Sequence, residues 1–225
     1  MIDFVFGTYP YICAAVFLIG SLARFDRSQG SWKSESSQFL APGLLRWGSN
    51  LFHVGVLALF FGHLFGLLTP SALYTALGLT VPAKQTLAIA AGGVFGALCL
   101  AGLLLLLYRR LSEPRLRATS TRMDLVLLGW LLVTLLLGLA SIFVSLGHPD
   151  GAVMLQLGHW AQHIATFRPG AAEFIRGVHP IYRAHLAFGL TLFLLFPFSR
   201  LVHVWSGFGA LGYLVRTWQI VRARG

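Results

Sequence analysis

Apolar residues run along this chain in blocks too long for strands or for ordinary surface helices. A helix that crosses the hydrocarbon core of a bilayer needs about 20 predominantly apolar residues. Five blocks qualify, at residues 4–23, 50–68, 85–108, 125–147 and 184–205. The second is the front part of an uncharged stretch, 47–83, which Thr69 and Pro70 divide into a helix and a loop. The residue before a proline is driven out of the helical region, so a boundary falls there. The fifth is interrupted only by Pro197 and Arg200 near its end. Residues 151–167 are also uncharged, but Leu157, Trp160, Ala161 and Ile164 recur at helical spacing with Gln156, His159, Gln162 and His163 on other faces. That pattern predicts an amphipathic helix lying at the interface, not a sixth span. The expectation is an all-α integral membrane bundle of five transmembrane helices. A single membrane domain covers residues 1–225, ending in a tail at 206–225.

Charge gives this bundle a direction. Arg24, Arg27, Lys33 and Arg46 lie between spans 1 and 2, and Arg109, Arg110, Arg115, Arg117 and Arg122 between spans 3 and 4. Arg216, Arg222 and Arg224 follow span 5. The alternate side carries Lys84 and, in a longer loop with Asp150 and Glu173, Arg168, Arg176 and Arg183. The excess of basic residues predicts an N-terminus outside and a C-terminus in the cytoplasm. Asp3 and the lack of a basic leader region predict that the first span is retained.

Composition agrees. Hydrophobic residues make up 56% and charged residues 11%, where soluble domains have about a quarter charged. A disordered chain is excluded by the same apolar fraction. The net charge is +10, but it sits in the links between apolar blocks. That layout points to a membrane and not to nucleic acid. Cys13 and Cys99, the only cysteines, offer neither a disulfide framework nor a zinc pattern. Gly55, Gly62 and Gly66 share one face of span 2, and close helix packing is the first expectation for such a stripe. A cofactor could use the same groove.

Four of the eight histidines fall inside spans, His53 and His63 on span 2 and His185 and His203 on span 5. Ionisable groups at membrane depth are costly and mark candidate functional sites. His63 lies about 15 Å along the helix from His53, at about 1.5 Å per residue. Spans 2 and 5 run antiparallel, which matches His53 with His203 and His63 with His185. Two facing imidazoles from two helices suit a six-coordinate b-type haem. An unbroken helix from His185 to His203 makes about five full turns and rises about 27 Å, longer than the span-2 spacing. A bend at Pro197 is therefore expected. Zinc is less suited, because the spans carry no carboxylate in this reading and zinc sites usually add Cys or carboxylate ligands. His159 and His163 read as interfacial polar residues, and His148 and His179 as loop residues.

The segments SNLFHVGVLALFFGHLFGLLTP (49–70) and HLAFGLTLFLLFPFSRLVHVWS (185–206) resemble the gamma subunit of bacterial membrane-bound respiratory nitrate reductase. YPYICAAVFLIGS (9–21), RATSTRMD (117–124) and QIVRAR (219–224) fit as well. The resemblance implies a di-haem cytochrome b in the cell inner membrane. It would anchor an iron–sulfur beta subunit and a molybdenum-containing alpha subunit. It implies His53 and His203 as ligands of the inner haem and His63 and His185 as ligands of the outer one. It also implies quinol oxidation near the outer haem, with Lys84 and Gly62 at the quinol site. Lys84 reads equally as a snorkelling interfacial lysine when the resemblance is set aside. Arg200, three residues before His203, is expected at a haem propionate or at a lipid headgroup. The basic loops would dock a partner or bind anionic lipid. Two other readings stand beside this one: a cytochrome b of another quinone-linked oxidoreductase, such as a hydrogenase or sulfur-cycle complex, and a histidine-lined transporter, which predicts inverted repeats or broken helices.

Overall fold

The structure, a computed structural model, describes residues 1–28 and 41–206. Lys33 and the basic tail with Arg216, Arg222 and Arg224 lie outside the described residues. A π-helical turn, Phe4–Thr8, leads into α1, Tyr9–Ser28. Then follow α2, Pro42–Leu68, the short α3, Ser71–Ala76, and α4, Val81–Ser112. The short α5, Pro114–Thr119, precedes α6, Arg122–Leu146. The amphipathic α7, Ala152–Ala165, is followed by a single turn, α8, Glu173–Arg176, and by α9, Pro180–Leu195. Five stretches are long and apolar enough to cross a membrane: Phe4–Arg27, Pro42–Leu68, Val81–Ser112, Arg122–Leu146 and Pro180–Phe198. Large apolar side chains face outward along them, with Phe143 77% and Phe65 65% exposed. Such a surface belongs in lipid.

Local signals explain the helix ends. Proline occupies the first turn of α2, α4 and α9, where its missing N–H costs nothing. The α2 helix stops at Leu68 because Thr69 is extended ahead of Pro70. The start of α6 is a reciprocal cap: Asp124 N donates to Thr121 Oγ1 and Thr121 N donates to the Asp124 carboxylate. Gly151 opens α7 at φ +74°, and a Cβ there would strike Val81, so glycine answers both demands.

Two helices approach at backbone distance. A Cβ on Gly55 would lie 2.5 Å from the Cys99 amide nitrogen, and one on Gly102 would collide with the Phe52 backbone. This α2–α4 seam is the closest packing in the fold, as expected where small residues let helices approach. From α4 the bundle continues through α6 and α9 to α1. The first and last spans are tied by Tyr9 Oη and Thr191 Oγ1 at 2.8 Å and by Trp205 Nε1 donating to Ser21 Oγ at 3.3 Å. The α7 helix rests on α2. It contributes Trp160 and Ala161 to a buried cluster with Phe6, Ala171, Ala172 and Ile175. Trp160 Nε1 donates to the Phe6 carbonyl at 2.8 Å.

Three expectations change. The fifth span does not run as one helix from 184 to 205. It starts at Pro180 and its α-helix ends at Leu195; two 3-10 turns, Phe196–Phe198 and Arg200–Val202, flank an extended Ser199. Pro197 starts this break, and Arg24 NH1 secures it by donating to the carbonyls of Pro197 and Ser199 at 2.8 and 2.9 Å. His185 and His203 are therefore not joined by five full turns of one helix. Second, the membrane helices do carry a carboxylate. Asp124 lies in the first turn of α6 and is 5% exposed, because the helix begins at Arg122 and not at 125. Third, the glycine stripe of α2 divides: Gly55 packs, but Gly62 and Gly66 have no heavy atom within 4 Å of a built Cβ.

Candidate functional site

The backbones of α2 and α9 do not pack closely along their lengths, unlike α2 with α4 or α6 with α9. Histidine side chains face each other across this separation. The His53 and His203 ring centres are 6.1 Å apart, with planes at 75°. The His63 and His185 ring centres are 5.9 Å apart, at 46°. The structure thus brings together the two pairs that antiparallel spans predict. His203 faces His53 across the break in the fifth span.

Each of the four imidazoles is oriented by a backbone carbonyl. His53 Nδ1 lies 2.7 Å from Ser49 O, and His63 Nδ1 lies 2.7 Å from Leu59 O. His185 Nδ1 lies 2.9 Å from Thr134 O, and His203 Nδ1 lies 2.5 Å from Arg200 O. A carbonyl only accepts, so Nδ1 carries the proton in all four. With Nδ1 so engaged, Nε2 is the nitrogen that each neutral ring would offer a metal. A metal held about 2 Å from each of two opposed Nε2 atoms separates the ring centres by roughly 6 Å, close to both measured values. Among the described residues there is no group of three or more His, Cys, Asp or Glu side chains that could hold a metal ion. The donor set is therefore two imidazoles at each of two levels, which fits a bis-histidine haem.

A cleft of about 280 Å³ adjoins the second pair, lined among others by Gly62, His63, Gly66, Lys84, Gly138 and His185. The absence of side chains at Gly62 and Gly66 keeps this side of α2 open. On the far wall a Cβ at Gly138 would come within 2.8 Å of His185 Cε1. Lys84 stands in the first turn of α4, its Nζ donating to Gly66 O at 2.8 Å and lying 4.0 Å over the Tyr74 ring. This cation–π contact fixes the ammonium at the end of the cleft. Tyr74 is buried, its hydroxyl has no hydrogen-bond partner among the described residues, and burial pushes its phenol up. It is neutral and a donor at physiological pH.

Of the remaining sequence candidates, His148 also lines the cleft. Arg200, expected at a propionate or a lipid, pairs with Asp124: Nε to Oδ1 at 2.5 Å and NH2 to Oδ2 at 2.9 Å. His159 and His163 pack on Phe174 with ring centres 5.5 and 4.8 Å away. His148 bonds to Val144 O, and His179 caps α9 by accepting from Ile181 N. Sequence reasoning missed Asp124, Tyr74 and Gly138. The Thr121-x-x-Asp124 spacing is a capping signal that locates Asp124 inside a helix; no linear pattern locates the other two.

The protein family described as nitrate reductase gamma subunit matches residues 2–224. Respiratory nitrate reductase 2 gamma chain of Escherichia coli (strain K12) is 51% identical over 222 residues, 98% of this chain and 96% of that protein. Respiratory nitrate reductase 1 gamma chain of the same strain is 50% identical over 221 residues, 98% and 97% of the two chains. Nitrate reductase gamma chain of Bacillus subtilis (strain 168) is 36% identical over 220 residues, 98% and 97% of the two chains.

Proposed function

This chain belongs to the nitrate reductase gamma subunit family, and from that premise we propose that it is the quinol-oxidising di-haem cytochrome b of a membrane-bound nitrate reductase. Its N-terminus lies outside and its C-terminus in the cytoplasm, in the inner membrane. It anchors an iron–sulfur beta subunit, which leads to a molybdenum-containing alpha subunit where nitrate is reduced. The observation that carries the reading is the pair of facing imidazole couples about 6 Å apart, each ring held at Nδ1 by a backbone carbonyl. His53 and His203 would hold the cytoplasmic-side haem b, and His63 and His185 the outer one. When bound, the two haems supply one-electron carriers linking quinol at the outer side to the iron–sulfur subunit.

The chain's own residues do the rest. Four backbone carbonyls hold the imidazole planes and keep the Nδ1 protons in place. Gly62 and Gly66 leave the wall of the cleft open beside His63. Lys84 Nζ has three donors, of which Gly66 O takes one. Another is free to bond a quinol oxygen and stabilise negative charge as its proton leaves toward the outer side. The apolar lining of the cleft suits the ring and tail of a quinol.

A reduced-minus-oxidised optical spectrum of the purified protein, with haem quantified per chain, tests this. Two low-spin b haems per chain are expected; one or none defeats the pairing. In His63→Ala or His185→Ala, quinol-driven haem reduction should be lost, and its survival unchanged would remove the proposed entry route.

A further inference from the structure

Asp124 is a buried acid at the start of a membrane helix, and it is gripped from two other elements. The Arg200 guanidinium closes on both carboxylate oxygens, at 2.5 and 2.9 Å. Arg110 NH1, from the end of α4, lies 3.4 Å from Oδ2 and donates to Ser120 Oγ at 2.8 Å. The carboxylate also accepts from Thr121 N at 3.0 Å. Removing one partner of such a buried cluster leaves an uncompensated charge, so the geometry is strongly held.

What it holds is informative. Arg200 belongs to a 3-10 turn, Arg200–Val202, that follows the extended Ser199, so no continuing α-helix fixes its backbone. The carbonyl of this same residue accepts the Nδ1 proton of His203 at 2.5 Å. The other three paired imidazoles bond to carbonyls inside regular α-helices, those of Ser49, Leu59 and Thr134. His203 alone depends on a carbonyl in a broken segment, and Asp124 anchors that segment through its side chain.

We propose that Asp124, acting through Arg200 with support from Arg110, is a positioning residue for the His203 imidazole, setting the ring plane and the strength of the Nδ1 hydrogen bond. This rests on the reading of His203 as a ligand of the cytoplasmic-side haem. Outer partners of a metal-bound histidine set its orientation and basicity, and their loss typically weakens retention about 10-fold or more.

The test uses electron paramagnetic resonance and haem quantification on membranes carrying the assembled complex. Asp124→Asn removes the charge, Arg200→Lys keeps a charge but loses the fork, and Asp124→Glu restores the carboxylate. His203→Ala is run beside them. In Asp124→Asn and Arg200→Lys, the low-spin signal that His203→Ala abolishes should shift in g-value, with about 10-fold weaker retention of that haem. The other signal should stay in place, and Asp124→Glu should return the first toward its original position. If His203→Ala removes one signal but both signals are unmoved in Asp124→Asn and Arg200→Lys, the positioning role is overturned and the haem assignment stands. If His203→Ala leaves both signals, the haem assignment itself has failed. Because Arg200→Lys retains a buried ion pair, it carries the test where Asp124→Asn does not fold.

Discussion

At the residue scale, single atoms decide whether an imidazole can reach its partner. A methyl group at Gly138 would stand 2.8 Å from His185 Cε1. Gly138→Ala should therefore displace the His185 ring while His53 and His203 remain as they are. On the proposed bis-histidine reading, haem counted per chain is expected to fall at the His63–His185 pair only. Tyr74 offers a second residue-scale prediction. Tyr74→Phe keeps a ring under the Lys84 ammonium and should leave the quinol KM close to its original value. Tyr74→Leu removes the cation–π contact, worth about 0.5–2 kcal/mol, and should raise KM and lower thermal stability by a similar amount. The four histidines were legible because ionisable groups stand out within apolar blocks. Gly138 and Tyr74 were not, since their importance lies in what faces them from another helix. Spacing along a chain does not carry that.

At the element scale, proline and capping residues set most helix ends, and these can be read in advance. The end of α2 at Thr69-Pro70 is one example. The break in the fifth span was legible only in part. Pro197 marks where regular bonding fails, but the extended residue is Ser199, two positions later. Its location depends on Arg24, which arrives from the opposite end of the chain. Arg24→Ala removes both hydrogen bonds. At about 1.5–3 kcal/mol for a bond to a charged group, it should lower the melting temperature clearly and loosen the His53–His203 pair first. The glycine seam makes a contrasting prediction. Gly55→Val must push against the Cys99 backbone, which cannot rotate away. Overpacking of about 1–3 kcal/mol should separate α2 from α4, seen as reduced thermal stability. Gly66→Ala, which meets open space, should cost little stability. Both glycines lie on one stripe in the sequence, and the stripe alone did not tell packing from lining.

At the scale of the whole molecule, the five candidate spans and their order were readable from hydropathy, because a bilayer constrains helix length so strongly. The buried acid was not, since its helix starts three residues earlier than the apolar block does. The arrangement also has a bearing on how the protein is made. The first span is completed by the last: Tyr9 meets Thr191, Arg24 meets Pro197 and Ser199, and Ser21 meets Trp205. Residues leave the ribosome in order, so α1 and α2 are made well before their counterparts on the fifth span exist. Neither His53 nor His63 has a facing imidazole until the final span is being synthesised. The His63–His185 pair is complete once His185 has been made and the His53–His203 pair only once His203 has, so a chain cut short between them holds one facing pair and not two.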